Sequence, residues 1–424
     1  YCRDLIRLAE HLPNFQVVSI HGTNFRNAGS TIVEELAFSL AEGVEYLTQL
    51  TERELTINKV APRLKFHFAV GPDYFMEIAK LRAARLLWAH IVKAYGPSKD
   101  EVCKMHIHCE TSKWNMTLYD PYVNMLRSTT EVMSAVIGGI DSMTVLPFNA
   151  AYESSGEFSE RIARNQQLLI KEESYFDKIV DPGAGSYYIE NLSASIAEEA
   201  WKLFLEVESQ GGYLEAFKKA FITSKIKETA ARRDMNIASR KEVVLGVNQY
   251  PNFTEKLDEE LGADVLDFGN LSTVDADYEP LKPYRGAMAF EKLRMRIDIY
   301  SRTNKRPAAF MFTMGNLAMR RARSQFSSNF FACAGIEAID NLGFKSIADG
   351  VEAFRKSKAE ILVICSSDDE YAEIAPEIVN ELGKECIIVL AGYPKEIMED
   401  LKAAGVEHFI HVKTNVLETL TDFQ

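Results

Sequence analysis

Short apolar or alternating runs are followed, again and again along this chain, by long amphipathic stretches. Val17–His21, Leu64–Val70, Lys104–Cys109 and Ser142–Leu146 have the composition and alternation of strands. After them, the stretches 31–49, 74–95, 121–137 and 158–173 place apolar residues three and four apart, the spacing of a helix with one buried face. Strand followed by helix, four times over, predicts a parallel sheet with right-handed crossovers. Four such units make half of a (β/α)8 barrel or one small doubly wound sheet. Half a barrel leaves open edges, so the barrel alternative expects its other strands on a preceding part of the protein.

The middle of the chain is helix-rich. Ser193 to Glu208 carries a helical apolar stripe, with Ser193 expected as its N-cap and Gly211-Gly212 as its stop. Lys218 to Arg240 is another strongly helical, highly charged stretch. Residues 248–285 are loosely patterned and acidic around Asp258-Glu-Glu and Asp275-Ala-Asp, as expected of a linker that wraps a surface. Helical spacing resumes over Phe290–Arg302. From Arg306 the alternation returns, with strands expected at Ala308–Thr313, Ile361–Cys365, Cys386–Ala391 and Glu407–Ile410. The clearest helices between and after them are Glu370–Leu382, Lys395–Ala404 and Thr414–Phe423. That pattern resembles a small flavodoxin-like sheet, whose ligands sit at the carboxyl ends of its strands.

Composition narrows the function. At 424 residues, 47% hydrophobic and 26% charged, the chain is long enough for two or three domains and too apolar to be disordered. It has no uninterrupted apolar run that would cross a bilayer. Its 48 Lys and Arg against 61 Asp and Glu give a net charge of −13, which phosphate backbones repel, so nucleic acid is not the expected partner. Six scattered cysteines without a CxxC pattern point to a reducing, cytoplasmic setting. The sequence opens at Tyr1 with no Met and none of the zones of a signal peptide, as expected of a piece of a longer protein cut inside a helix.

Candidate chemistry is sparse. His106, His108 and Glu110 alternate along one expected strand and share a face, which admits a metal cluster. The spacing supplies no fourth ligand, and hydrogen bonding inside a filled interior accounts for the same residues, so no metal is expected. The glycine clusters Asp181–Gly185 and Gly138-Gly139 lack the full spacing of a phosphate loop and read as turns. The basic run Met319-Arg-Arg-Ala-Arg323 follows a strand. It admits an anion site near a helix start, a solvated face or a subunit contact. There is no nucleophile elbow, kinase loop or HExxH.

Longer blocks carry a resemblance. His108-Cys-Glu-Thr-Ser-Lys-Trp114, followed by Asp120-Pro-Tyr-Val-Asn124, resembles the HCQTSGW…DPYNN signature of the adenosylcobalamin-dependent acyl-CoA mutases. Met76–Arg85, Phe158–Asn165, Val180–Tyr188 and Leu245–Asn248 resemble further blocks of that family in the same order, strongly to about Tyr250 and more weakly beyond. The resemblance implies the C-terminal half of a substrate-binding (β/α)8 TIM-type barrel over 1–200. A helical and extended linker over 201–305 and a flavodoxin-like cobalamin-binding-type domain over 306–424 would follow.

The departures from the family pattern fall on its working residues. Where active chains read SGYHMQEAG, Thr23 and Asn24 replace the tyrosine and the histidine, and asparagine cannot serve as a general acid. PRLSFF has become Pro62–His67, with Lys65 and His67 in place of small or aromatic groups. Glu110 and Lys113 replace a glutamine and a glycine, and are expected to fill the barrel axis and to pair there. In place of the cobalt-ligating DxHxxG stand Leu317, Met319 and Ala322. Ser366-Ser367 keeps the family's serine pair, but Asp368-Asp-Glu370 is an acidic floor for a phosphate-bearing nucleotide tail.

With both sites altered, the resemblance implies a non-catalytic subunit that has no catalytic, cofactor-binding or metal residues of its own. Its expected partner is a large catalytic subunit in a heterodimer, and that partner would carry the adenosylcobalamin. The alternatives are a divergent catalytic mutase with an altered substrate pocket and cobalamin mode, or a ligand sensor that keeps a pocket without catalysis.

Overall fold

A computed structural model describes all residues except 13, 153–155, 257–265, 267–277, 384 and 424. The acidic stretches at 258–260 and 275–277, expected in the linker, lie outside the described residues. The chain divides into two units, Tyr1–Asp234 with Ala263–Gly286 and Met235–Gly262 with Ala287–Gln424.

The first unit is built on a four-stranded parallel sheet in chain order: β1 Val18–His21, β2 Leu64–Val70, β3 His106–Thr111 and β4 Ser142–Thr144. Helices α1 Gly22–Asn27, α2 Ile32–Glu52, α3 Tyr74–Ala94, α4 Val123–Ile137, α5 Glu157–Glu172 and α6 Tyr187–Ser209 follow and flank the strands. Thr31 starts α2 with a capping box, its hydroxyl accepting from Glu34 N while Glu34 reaches back to Thr31 N. The alternation read from sequence sets the faces of β2: Leu64, Phe66 and Phe68 are buried against the helices, and Lys65 and His67 are half-buried on the other side. Phe66 meets Trp88 of α3 edge to face, with ring centroids 4.7 Å apart. Truncating such a ring to alanine costs about 3–5 kcal/mol.

One expectation for the middle region is corrected. Ser193 does not cap a helix: α6 begins at Tyr187 after Ser186, and Ser193 lies inside it, donating to the carbonyl of Ile189. A helical serine can satisfy its hydroxyl on the preceding turn, so it marks no boundary by itself. Lys218–Arg240 is helical over most of its length, with a break near its start. Tyr213–Lys218 ends one segment, Ala220 takes a left-handed φ of 58°, and α7 runs over Phe221–Ala238.

The second unit holds a five-stranded parallel sheet in the order β6-β5-β7-β8-β9. Its strands are β5 Ala308–Thr313, β6 Glu337–Ile339, β7 Ile361–Cys365, β8 Ile387–Ala391 and β9 His408–Ile410. The helices are α8 Met288–Tyr300, α9 Leu317–Ala332, α10 Ile347–Ser357, α11 Tyr371–Leu382, α12 Met398–Ala403 and α13 Val416–Asp422. β5 and β7 are buried at every residue, as central parallel strands covered on both faces must be. Phe310, Phe312, Leu362 and Ile364 pack with Val351 and Phe354 of α10 and with Ile374 and Ile378 of α11. At Gly350 a Cβ would lie 2.4 Å from the Phe312 ring, so only glycine allows α10 this close to β5. Sequence reading did not foresee β6, because three partly exposed edge residues make no apolar run.

Candidate functional site

The carboxyl ends of β5 and β7 define the usual ligand crevice of the second unit. The chain leaves β5 for β6 on one side and returns to β7 on the other, and such a reversal opens a gap between the two strands. Here the chain's own side chains fill it. Glu370, just ahead of α11, accepts from the hydroxyls of Ser366 and Ser367, from Ser367 N at 3.2 Å and from Asn316 N at 3.1 Å. Those bonds from Ser366, and then Ser367, hold its carboxyl down at about 2, against partial burial that opposes the charge.

Beside it, Arg323 of α9 pairs with Asp368 at 2.9 Å. A Cβ on Gly392, at the end of β8, would lie 3.0 Å from the Arg323 guanidinium and 3.1 Å from the Asp368 carboxylate. Tyr371 closes the next gap, accepting from Ser366 N and donating to the carbonyl of Ala391 at 2.6 Å.

Leu317, Met319 and Ala322 all lie on the exposed first turns of α9, which Asn316 caps by accepting from Ala318 N and Met319 N. Asn316, whose N–H donates to Glu370, directly precedes Leu317, so the start of α9 adjoins the plug, while Leu317 and Ala322 also line a separate cleft. None of the three altered positions offers an imidazole or a carboxylate.

In the first unit the other face of the sheet carries a row of histidines. His21 of β1 lies opposite His67 of β2, and His67 opposite His108 of β3, with ring centroids 4.7 Å apart at both steps. His108 bonds Ser142 Oγ at 2.8 Å through Nδ1 and Thr144 Oγ1 at 3.1 Å through Nε2. Burial, then the nearby Lys65 ammonium, then His108 and His21 drive His67 down to about 4, so the ring is neutral at pH 7. Among the described residues no group of three or more His, Cys, Asp and Glu is placed to hold a metal ion.

Thr23 is buried and Asn24 exposed on α1, directly beyond β1. Lys65 and Glu110 are half-buried on the histidine face, and burial raises the Glu110 carboxyl, only partly offset by Lys113. The expected Glu110–Lys113 ion pair is corrected: Lys113 lies past the end of β3, exposed, and forms no ion pair with Glu110. The chain turns there, with Trp114 N donating to Ser112 Oγ, and that turn carries the lysine away from the strand face.

Sequence reading missed a buried charge cluster. β1 stops at His21, opposite His67, so Ala69 of β2 has no β1 neighbour. Glu35 of α2 accepts from Ala69 N at 2.7 Å and Lys80 of α3 donates to Ala69 O at 2.6 Å, standing in for the missing strand. Lys80 also lies 2.8 Å from Glu35 and 2.6 Å from Glu77, all three side chains fully buried, and Arg26 approaches Glu77 at 3.5 Å. Burial opposes charge on Lys80, but Glu35 and Glu77 outweigh it and keep the ammonium protonated. Nearby, burial raises the Glu131 carboxyl to about 8, although Asn115 donates to it. The sequence signal was the placing of charges at helix positions that face the core, as with Glu77 and Lys80 three apart on α3.

These features define a two-unit α/β protein with two parallel sheets, in which the crevice between β5 and β7 is occupied by the chain's own charged side chains. The chain belongs to the methylmalonyl-CoA mutase family, whose sequence profile matches residues 2–315. It is 51% identical over 98% of its length to a methylmalonyl-CoA mutase small subunit of Porphyromonas gingivalis, covering 66% of that protein. It is 35% identical over 89% of its length to the corresponding small subunit of Streptomyces virginiae, covering 60% of it. The mitochondrial methylmalonyl-CoA mutase of Bos taurus matches 66% of the chain at 40% identity and is covered over 37% of its own length. The chain therefore spans less than two thirds of the small subunits it matches. No described helix is long and apolar enough to cross a membrane.

Proposed function

We propose that this chain belongs to the small, non-catalytic subunit of a heterodimeric methylmalonyl-CoA mutase. The large subunit would interconvert methylmalonyl-CoA and succinyl-CoA with adenosylcobalamin, and this subunit would give it structural support. In this reading the first unit is half of a (β/α)8 barrel, supported by four parallel strands paired in chain order. The second is a flavodoxin-like cobalamin-binding-type domain, supported by its strand order, which puts the first strand between the second and the third.

The observation that carries the proposal is the plugged crevice of the second unit. A cobalamin tail entering between β5 and β7 would have to displace Glu370, which makes hydrogen bonds to both flanking loops, and the Arg323–Asp368 pair beside it. The phosphate of that tail would meet a carboxylate held ionised. Leu317, Met319 and Ala322 provide no nitrogen to ligate cobalt and no group to polarise one. The residues present do not fit the cofactor, and no step through it is assigned to this chain. In the first unit, Asn24 has no proton to give at the position where active relatives carry a histidine.

The test is cobalamin content after gel filtration, read by absorbance, for the full-length subunit alone and with its large subunit. Cobalamin is expected only in the paired sample, one per heterodimer. Stoichiometric cobalamin on the small subunit alone would sink the proposal.

A further inference from the structure

α9 splits the basic run Met319–Arg323 between two sides. Arg323 joins Asp368 at the plugged crevice, whereas Arg320 and Arg321 line a separate cleft of about 1280 Å³ within the second unit. One wall of the cleft is a single stripe of α9: Leu317, Arg320, Arg321, Ser324, Gln325 and Ser328, at steps of three and four. The facing wall is the segment Gln249, Tyr250, Pro251 and Phe253. Thr313, Asp340 and Asn341 form the floor, at and beyond the carboxyl ends of β5 and β6.

The chemistry of the lining is selective. Three guanidinium groups, of Arg240, Arg320 and Arg321, meet one carboxylate, Asp340, in a chain whose net charge is −13. Asp340 is already engaged, accepting from Ser324 Oγ and Asn341 N. Ser328 is only 8% exposed, and its hydroxyl has no partner. Arg240 Nε and Gln249 Oε1 are likewise buried without partners. Arg321 is exposed and has no partner among the described residues. Buried polar atoms are nearly always paired, so three orphans around one cleft mark groups waiting for a ligand. Tyr250 and Phe253 are 66% and 60% exposed, so an apolar, flat surface is presented on the other wall.

We propose that this cleft binds a phosphorylated nucleotide. Its phosphates lie against Arg321, whose fork-shaped donors suit a planar or tetrahedral anion, with the charge of Arg320 beside it, a guanidinium already donating to the carbonyls of Gly315 and Leu342. Its base lies on Tyr250 and Phe253, since every base offers a face for stacking. The Ser328 hydroxyl and Arg240 Nε supply donors to the ligand's inner oxygens, and Gln249 Oε1 accepts from a base amine or a ribose hydroxyl. A bare phosphate leaves most of the volume and the aromatic wall unused. The cleft shares no side chain with the Glu370 plug, so the proposal stands whether or not the chain binds cobalamin.

The test titrates ADP into the full-length subunit by calorimetry, with adenosine and inorganic pyrophosphate as the two halves of the ligand. Saturable binding at a single site is expected, weakened about tenfold or more by Arg321→Ala and several-fold by Ser328→Val. Tyr250→Ala is expected to weaken ADP but not pyrophosphate, and Arg323→Ala, outside the cleft, to change neither. Circular dichroism checks that each variant is folded. Arg321 and Tyr250 are exposed, so their replacement leaves the core intact. No saturable binding at millimolar ADP would overturn the proposal. So would binding indifferent to Arg321→Ala and Ser328→Val, or pyrophosphate binding as tightly as ADP.

Discussion

Replacing Lys80 with methionine tests the charge cluster at the end of β2. The two side chains have similar volume and flexibility, so the change removes a charge and little else. Lys80 Nζ contacts Glu35 Oε2 at 2.8 Å, Glu77 Oε2 at 2.6 Å and the Ala69 carbonyl at 2.6 Å, all away from water. Without it Glu77 keeps Arg26, at 3.5 Å, and the N–H of Gly71, which donates to it at 3.0 Å, and Glu35 keeps no ion-pair partner. Stranding a buried charge costs about 3–5 kcal/mol, and an unpaired carbonyl adds about 1 kcal/mol. The expected loss at neutral pH is therefore about 4–6 kcal/mol.

In the variant the stranded carboxyls take up protons on folding, so the deficit shrinks as pH falls. Adding Glu35→Gln removes one stranded charge while keeping an oxygen for Ala69 N, now 2.7 Å from Glu35, and recovers part of the loss. A two-unit chain need not unfold in one step, so the sharper readout is amide exchange at Ala69 and Gly71 in the full-length subunit, supported by urea unfolding. A loss below about 1 kcal/mol with unchanged exchange at both amides would refute the reasoning.

Three further outcomes are expected. Glu131 has a folded-state value of about 8 against an ordinary 4.5, so the folded state binds the extra proton and stability falls as pH rises through that window. Glu131→Gln should flatten the alkaline side of a melting-temperature profile. His67 runs the other way, at about 4 against 6.5: its contribution is whole above 6.5 and lost as pH falls toward 4. His67→Gln should reduce the acid sensitivity of the melt, and a ring titrating near 6.5 by NMR would contradict the burial argument. Glu370→Ala should lower stability by about 1–2 kcal/mol and become sensitive to added formate, which refills the cradle of Asn316 N and the Ser366 and Ser367 hydroxyls. A melting temperature in the variant that ignores formate would count against an anion cradle there.

Much of this protein is legible in its linear pattern. The strands β2, β5 and β7 coincide with their sequence reading, because continuous or alternating apolar runs bounded by breakers admit few other structures. The shared face of His106, His108 and Glu110 follows from the strand period alone, whereas the loss of imidazole and carboxylate at Leu317, Met319 and Ala322 is implied by the resemblance to the family's motif. Tertiary structure decided where charges meet. Glu370 read as one of three acidic residues in a loop, and only the approach of the β5 and β7 loops, 54 residues apart, makes its carboxylate a plug. Lys80 and Glu35 are 45 residues apart, and their pairing depends on where β1 ends relative to β2. The basic run on α9 looked like one feature, yet the turn of the helix sends Arg323 to the crevice and Arg321 to the cleft. Periodicity along a chain records which face a residue takes; the partner it finds there depends on contacts closed over long sequence distances, which no local pattern encodes.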